Sequence, residues 1–211
     1  MKTDDLIRAM AADTTIARSL PSTLMAGMIP ALAIGAALLW VALGLRKDIV
    51  NSFGNPVSVA RFVLTGCLGF FASQLALRLA RPEGLQRQLL WPLAVVAAVA
   101  MGLLAWSYLT TPVEGRQMAL VGKTVTTCLV TIPLLSILPV TAVLITLRGG
   151  ATTAPRFASF VAGLCGGGFA AMIYASHCSE DSPLFYVTWY SLAIFGVALL
   201  STLAGPRFLR W

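Results

Sequence analysis

Long apolar runs with almost no charge dominate this chain. The short breaks between them carry most of its ionisable residues. Each run is close to the roughly 20 residues that a helix needs to cross a bilayer. The pattern predicts spans near Leu24–Leu45, Val57–Leu79, Leu89–Thr111, Thr124–Leu147, Phe157–Ala175 and Leu184–Ala204. The expected fold is an all-α integral membrane protein: a six-transmembrane-helix bundle over residues 22–211, preceded by a short cytoplasmic N-terminal helix over residues 1–21. No stretch outside the spans exceeds that tail, so no soluble catalytic domain is expected.

The tail reads MKTDDLIRAMAADTTIARSLP. Thr3 can cap a helix whose first turn holds Asp4 and Asp5, where the positive end of the helix dipole favours them. Leu6, Met10 and Ala17 fall near one stripe with Ile7 beside it, Arg8 and Asp13 lie elsewhere, and Pro21 is expected to stop the helix. Lys2, Arg8 and Arg18 balance Asp4, Asp5 and Asp13. A lipid-binding helix would be cation-rich. An apolar stripe edged by mixed charge suits a protein groove better. An interfacial helix or a partly disordered tail is the alternative.

Composition agrees with the spans. The chain is 58% hydrophobic and 11% charged, against about 25% charged in soluble domains. Its net charge of +7 is no nucleic-acid footprint, because the cations sit at helix ends. Ten of them share one side: Lys2, Arg8, Arg18, Arg78, Arg81, Arg87, Arg148, Arg156, Arg207 and Arg210. Five fall on the other, with Arg46, Lys47 and Arg61 assigned to the first loop and Arg116 and Lys123 to the third. The positive-inside rule then puts both termini in the cytoplasm. Phe157 to Pro206 contains no Lys or Arg, so the loop around His177 should face outward.

Within the spans, Gly27, Ala31 and Gly35 form a small-xxx-small face, as do Gly163 and Gly167. Such faces let helices approach closely. Pro133 and Pro139 should bend the fourth span, with Thr126, Thr127 and Thr131 available to rebond freed carbonyls.

The candidate chemistry is concentrated in SHCSEDSPLFYVTWY, Ser176 to Tyr190, which holds the sole histidine. His177, Cys178, Glu180 and Asp181 combine soft-ligand, acid–base and redox groups at the end of an apolar run, a costly place for them. A polar turn between two helices is the plainer reading. Of the four cysteines, Cys67 and Cys165 fall deep in spans and read as small core residues. Cys128 lies five residues into the fourth span, about 7 Å along a helix from its outer end. Cys178 is at the same surface. In a bacterial inner membrane that is the oxidising side. The two can form a redox pair, can join His177 and a carboxylate in binding a soft metal, or can be unpaired structural residues. Phe185, Trp189 and Tyr190 are expected in the interfacial aromatic belt, and Glu114 as a solvated loop carboxylate.

Enzyme motifs are missing. There is no CxxC, phosphate loop or HExxH, and Gly166 to Gly168 lie inside a span rather than after a strand. The expectation is a binding protein, not an enzyme. It has no resident cofactor; a metal would be a passing ligand of the outer cysteine cluster.

The opening MKTDDLIRAMAAD, the six spans with a cytoplasmic N-terminus, Cys128 in the fourth span and HCSEDSPLFYVTWY together resemble the NrsF family of membrane-bound anti-sigma factors. The resemblance covers the whole chain. It implies that the cytoplasmic side sequesters an extracytoplasmic-function sigma factor, and that Cys128 and Cys178 match the family's cysteine pair and take part in sensing metal or oxidative stress. On this reading Asp4, Asp5, Leu6, Ile7, Arg8 and Met10 bind the sigma factor, His177, Glu180 and Asp181 accompany the sensing cysteines, and the partners are the sigma factor and the bilayer, without direct nucleic-acid contact. A small metal or oxyanion transporter with an outer thiol, histidine and carboxylate site is the alternative. It would place ionisable groups near mid-membrane, and the spans carry almost none there. A membrane thiol oxidoreductase would need a second outer cysteine pair.

Overall fold

The structure is a computed structural model that describes residues 19–82 and 87–209. Asp4, Asp5, Leu6, Ile7, Arg8 and Met10, and with them the expected N-terminal helix, lie outside the described residues. The helices are α1 (Leu20–Ala42), α2 (Ile49–Ser52), α3 (Pro56–Leu79), a 3₁₀ turn (Arg87–Leu90), α4 (Trp91–Thr110), α5 (Val113–Val121), α6 (Val125–Arg148), α7 (Pro155–Tyr174) and α8 (Pro183–Phe208). Six of the described helices are long and apolar enough to cross a membrane: α1, α3, α4, α6 (continuing from α5), α7 and α8. Each lies within a few residues of an expected span. Proline marks four of the starts, because a residue without N–H costs nothing in a first helical turn. Pro21 does the same for α1, sitting in that helix's first turn; the tail helix it is expected to stop lies outside the described residues.

The helices are apolar all round, so hydrophobicity does not select which face is buried. Small residues do. Large side chains such as Val41, Leu109 and Leu203 point outward, as a lipid environment allows. The most buried span, α7, is the glycine-rich one. Its Gly163 lies against Ala198 of α8 and its Gly166 against Val140 of α6. A methyl group on Gly168 would stand 2.8 Å from the Gly69 nitrogen of α3. Three neighbours thus approach one helix at backbone distance. Gly27 of α1 similarly meets Ala142 of α6, 3.1 Å from where its methyl would be. The least buried span is α4, which packs chiefly on α3 and α8 among the other spans.

On α6 Pro133 and Pro139 free the Leu129 and Leu135 carbonyls, and no hydroxyl among the described residues rebonds either of them. Ser136 donates to the Pro133 carbonyl at 2.6 Å and Thr141 to the Ile137 carbonyl at 2.7 Å, while Thr126, Thr127 and Thr131 make no such bond among the described residues. The third loop is itself helical, as α5, and Glu114 on it is exposed. Cys165 is buried in the bundle and Cys67 partly so.

Candidate functional site

One end of the bundle carries a polar lid over a buried thiol pair. It is assembled from the segment after α1, the start of α3, the α5–α6 junction and the turn between α7 and α8. The chain leaves α1 through Gly44, whose φ of +78° suits a residue without Cβ. This brings Arg46 back over the α7–α8 turn, where its backbone N–H donates to the Ser176 carbonyl at 3.1 Å. Trp40 donates to Ser176 Oγ at 3.0 Å. His177 donates from Nδ1 to the Gly44 carbonyl at 2.9 Å, since a carbonyl can only accept.

Arg46 is the knot of the lid. Its side chain is 4% exposed. Nε and Nη2 grip Asp48 at 2.6 and 2.8 Å, and Nη1 and Nη2 grip Asp181 at 2.8 and 2.9 Å. Nη1 also reaches the Cys178 carbonyl at 3.3 Å. Two forked carboxylate contacts on one guanidinium are the strong kind of ion pair. Hydrogen bonding to Arg46 holds the Asp48 carboxyl down at about 2, from an ordinary 3.8. Burial pushes Asp181 upward, but Arg46's hydrogen bonds and the charges of Arg61 and Arg46 outweigh it and leave the carboxyl below its usual range. Hydrogen bonds to Asp48 and then to Asp181 raise Arg46 in turn.

Arg61, assigned by the charge pattern to the first loop, lies instead within α3 and is fully buried. Its Nη1 donates to the Glu180 carbonyl at 3.1 Å and stands 3.3 Å from Asp181. Glu180 accepts from the Lys123 backbone N–H at 2.9 Å, which ties the turn to the entrance of α6.

Beneath this lid Cys128 and Cys178 are both free thiols with no exposure, packed in one apolar cluster with Ile132, Tyr174, Phe185, Tyr186 and Tyr190. Cys178 Sγ lies 3.7 Å from Thr124 Oγ1. Tyr174 and Tyr190 meet edge to face at 5.7 Å between centroids. Phe185 and Tyr190, expected in an interfacial belt, are therefore core residues around the thiols. Trp189 is half-buried and donates to the Leu120 carbonyl at 2.7 Å, holding α5 on α8. Of the expected sensing residues, the two cysteines come together inside, Asp181 and Glu180 build the lid, and His177 braces it. Among the described residues no three His, Cys, Asp or Glu side chains gather as a three-donor metal site.

The family model described as negative regulator of sigma F matches residues 9–211. The chain belongs to the NrsF family. Over the full length of both chains it is 34% identical to the anti-sigma-F factor NrsF of Caulobacter vibrioides and 34% identical to the probable anti-sigma-F factor NrsF of Azospira oryzae. No solved structure matches it.

In this NrsF-family chain, sequence reasoning misses Arg46, Asp48 and Arg61, because it counts loop charges only for topology. A cation five residues inside an apolar run is the available signal for Arg61. Gly122 is also missed. It has φ +55° and ψ −160°, a region open essentially to glycine. A methyl there would stand 2.8 Å from the Phe185 ring and 2.9 Å from the Glu180 carboxyl carbon. Gly122→Ala is expected to destabilise the protein by about 1–3 kcal/mol and to raise alkylation of Cys178 in the folded protein. Thermal melting in detergent and mass-resolved alkylation check both.

Proposed function

We propose that this protein is a membrane anti-sigma factor. It holds an extracytoplasmic-function sigma factor at the cytoplasmic face of a bacterial inner membrane and releases it when a metal or an oxidant reaches Cys128 and Cys178. Family membership over nearly the whole chain carries the reading. The lid supports the sensing half: two free thiols share a buried cluster beneath a turn held by ion pairs. Disulfide formation between them would remove two thiol protons and pass two electrons to an external oxidant. Joining α6 to the α7–α8 turn would strain the glycine-tight packing of α7 on α6, α3 and α8.

At the opposite end of the bundle Arg78, Arg81, Arg148, Arg156 and Arg207 are exposed. The Ala151 N–H donates to the Ala80 carbonyl there, joining the two loops that carry most of these cations. That end is the cytoplasmic face by the positive-inside rule. The tail, through Leu6, Ile7 and Met10 edged by Asp4, Asp5 and Arg8, supplies the main grip, and Arg78, Arg81, Arg87 and Arg148 add contacts. Mild-detergent affinity capture of the full-length chain is expected to retain a sigma factor, and a form lacking residues 1–19 is expected to lose it. Equal retention by both forms would move the binding site off the tail. Capture by neither would remove the anti-sigma reading.

A further inference from the structure

A cavity of about 380 Å³ lies between α3, α4 and α8. It exists because α4 leans on its neighbours without burying a face of its own. Leu64, Leu68, Leu93, Ala97, Ile194 and Phe195 belong to its apolar wall. Arg61 also lines it, with Tyr186 and Tyr190 on the facing helix. The lining of α3 runs from Arg61 to Leu68, about 10 Å along the helix axis. The cavity is therefore elongated, with a cation toward its outer end and an apolar remainder.

Arg61 is not satisfied by the protein. Only Nη1 has partners, the Glu180 carbonyl and Asp181. Asp181 is held closer by Arg46 than by Arg61. Nε and Nη2 of Arg61 are buried and unpartnered, as is the Tyr190 hydroxyl. A buried donor without an acceptor is costly, and a charged one more so. Nε and Nη2 form one edge of the guanidinium, whose parallel N–H groups match the two oxygens of a carboxylate or phosphate. A lone ketone oxygen, as on a quinone, would serve that edge poorly. Arg61 lies five residues into α3, about 7 Å below its start, and has no exposure, which favours a compact headgroup over a glycerophosphate.

We propose that this cavity binds a long-chain fatty acid, with its carboxylate on Arg61 Nε and Nη2 and its chain among the α3, α4 and α8 side chains. Because Arg61 also holds the Glu180 carbonyl, the bound carboxylate lies against the root of the Cys178 turn.

The test uses delipidated full-length protein in maltoside micelles, with palmitic acid, methyl palmitate and phosphatidylglycerol offered separately and in competition, and native mass spectrometry as the readout. One palmitate per chain is expected, with the methyl ester at least roughly tenfold weaker. Arg61→Gln should lose binding. Ala97→Phe should lose it too, by filling the cavity from α4 without touching the Arg61 hydrogen bonds, so a folding defect in the first variant leaves the second decisive. Equal binding of acid and ester, preference for phosphatidylglycerol, or wild-type binding by Ala97→Phe would each overturn the proposal. None of these outcomes bears on the anti-sigma reading.

Discussion

Replacing Cys128 and Cys178 together by Ser is expected to leave the protein in the membrane and to abolish its response to thiol-directed stress. Insertion depends on six apolar helices that the change does not touch. Packing is nearly conserved, since serine is smaller than cysteine only by the difference between oxygen and sulfur. At position 128 the new hydroxyl has the Thr124 carbonyl four residues back, the geometry that Thr141 and Thr146 already use on the same helix. Serine cannot form the disulfide and is a poor ligand for a soft metal. Coupling between distant sites is typically about 1–3 kcal/mol, so an oxidant should weaken sigma-factor binding roughly 5- to 150-fold in the wild type and not measurably in the variant. Co-purification of the sigma factor before and after diamide treatment measures this. A wild-type-sized release from the double variant would eliminate these cysteines as the sensor.

The second large effect concerns Arg46. Removing it strands Asp48, leaves Asp181 to Arg61 alone and frees the Cys178 carbonyl. Breaking a fully buried pair costs about 3–5 kcal/mol. Here the Asp48 and Asp181 side chains are 56% and 32% exposed, so water recovers part of the loss and about 2–3 kcal/mol is expected for Arg46→Ala. Arg46→Lys should rescue little, because an ammonium cannot fork onto two carboxylates. Both aspartates have folded pKa values below their unfolded ones. Their pairing therefore stabilises the fold above the ordinary value of 3.8 and is lost as pH falls through the folded values, to about 2 for Asp48. The wild-type melting temperature should fall between about pH 4 and pH 2, and the fall should be smaller in Arg46→Ala. Full stability of the Lys variant at neutral pH would contradict the role given to the forked pairs.

Much of this protein is legible in one dimension. A backbone in hydrocarbon must satisfy its own hydrogen bonds, so each apolar run of sufficient length has one available structure, a helix. That is why the six spans can be placed within a few residues, and why prolines at their starts are informative. The juxtaposition of Cys128 and Cys178 at one membrane surface is legible too, because counting spans fixes which ends share a side. The place of Pro21 in the first turn of α1 is not legible in this way. A first-turn proline and a helix-ending proline look alike along the chain, and the direction in which the helix continues separates them only in space.

Charge balance, span length and which helix ends share a side are determined by the sequence by itself, since they depend on runs and counts rather than on neighbours. Only the tertiary structure decided which residues lie beneath and which lie above. The charge pattern counts Arg46 and Arg61 with Lys47 in the first loop, yet each is buried because the α7–α8 turn supplies carboxylates and carbonyls from more than a hundred residues away. Phe185 and Tyr190 resemble belt aromatics in sequence, but the helix face they occupy turns inward over the thiols. Apolar periodicity could not have revealed this, because lipid and protein interior are equally apolar and the bundle is sorted by the close approach of small residues.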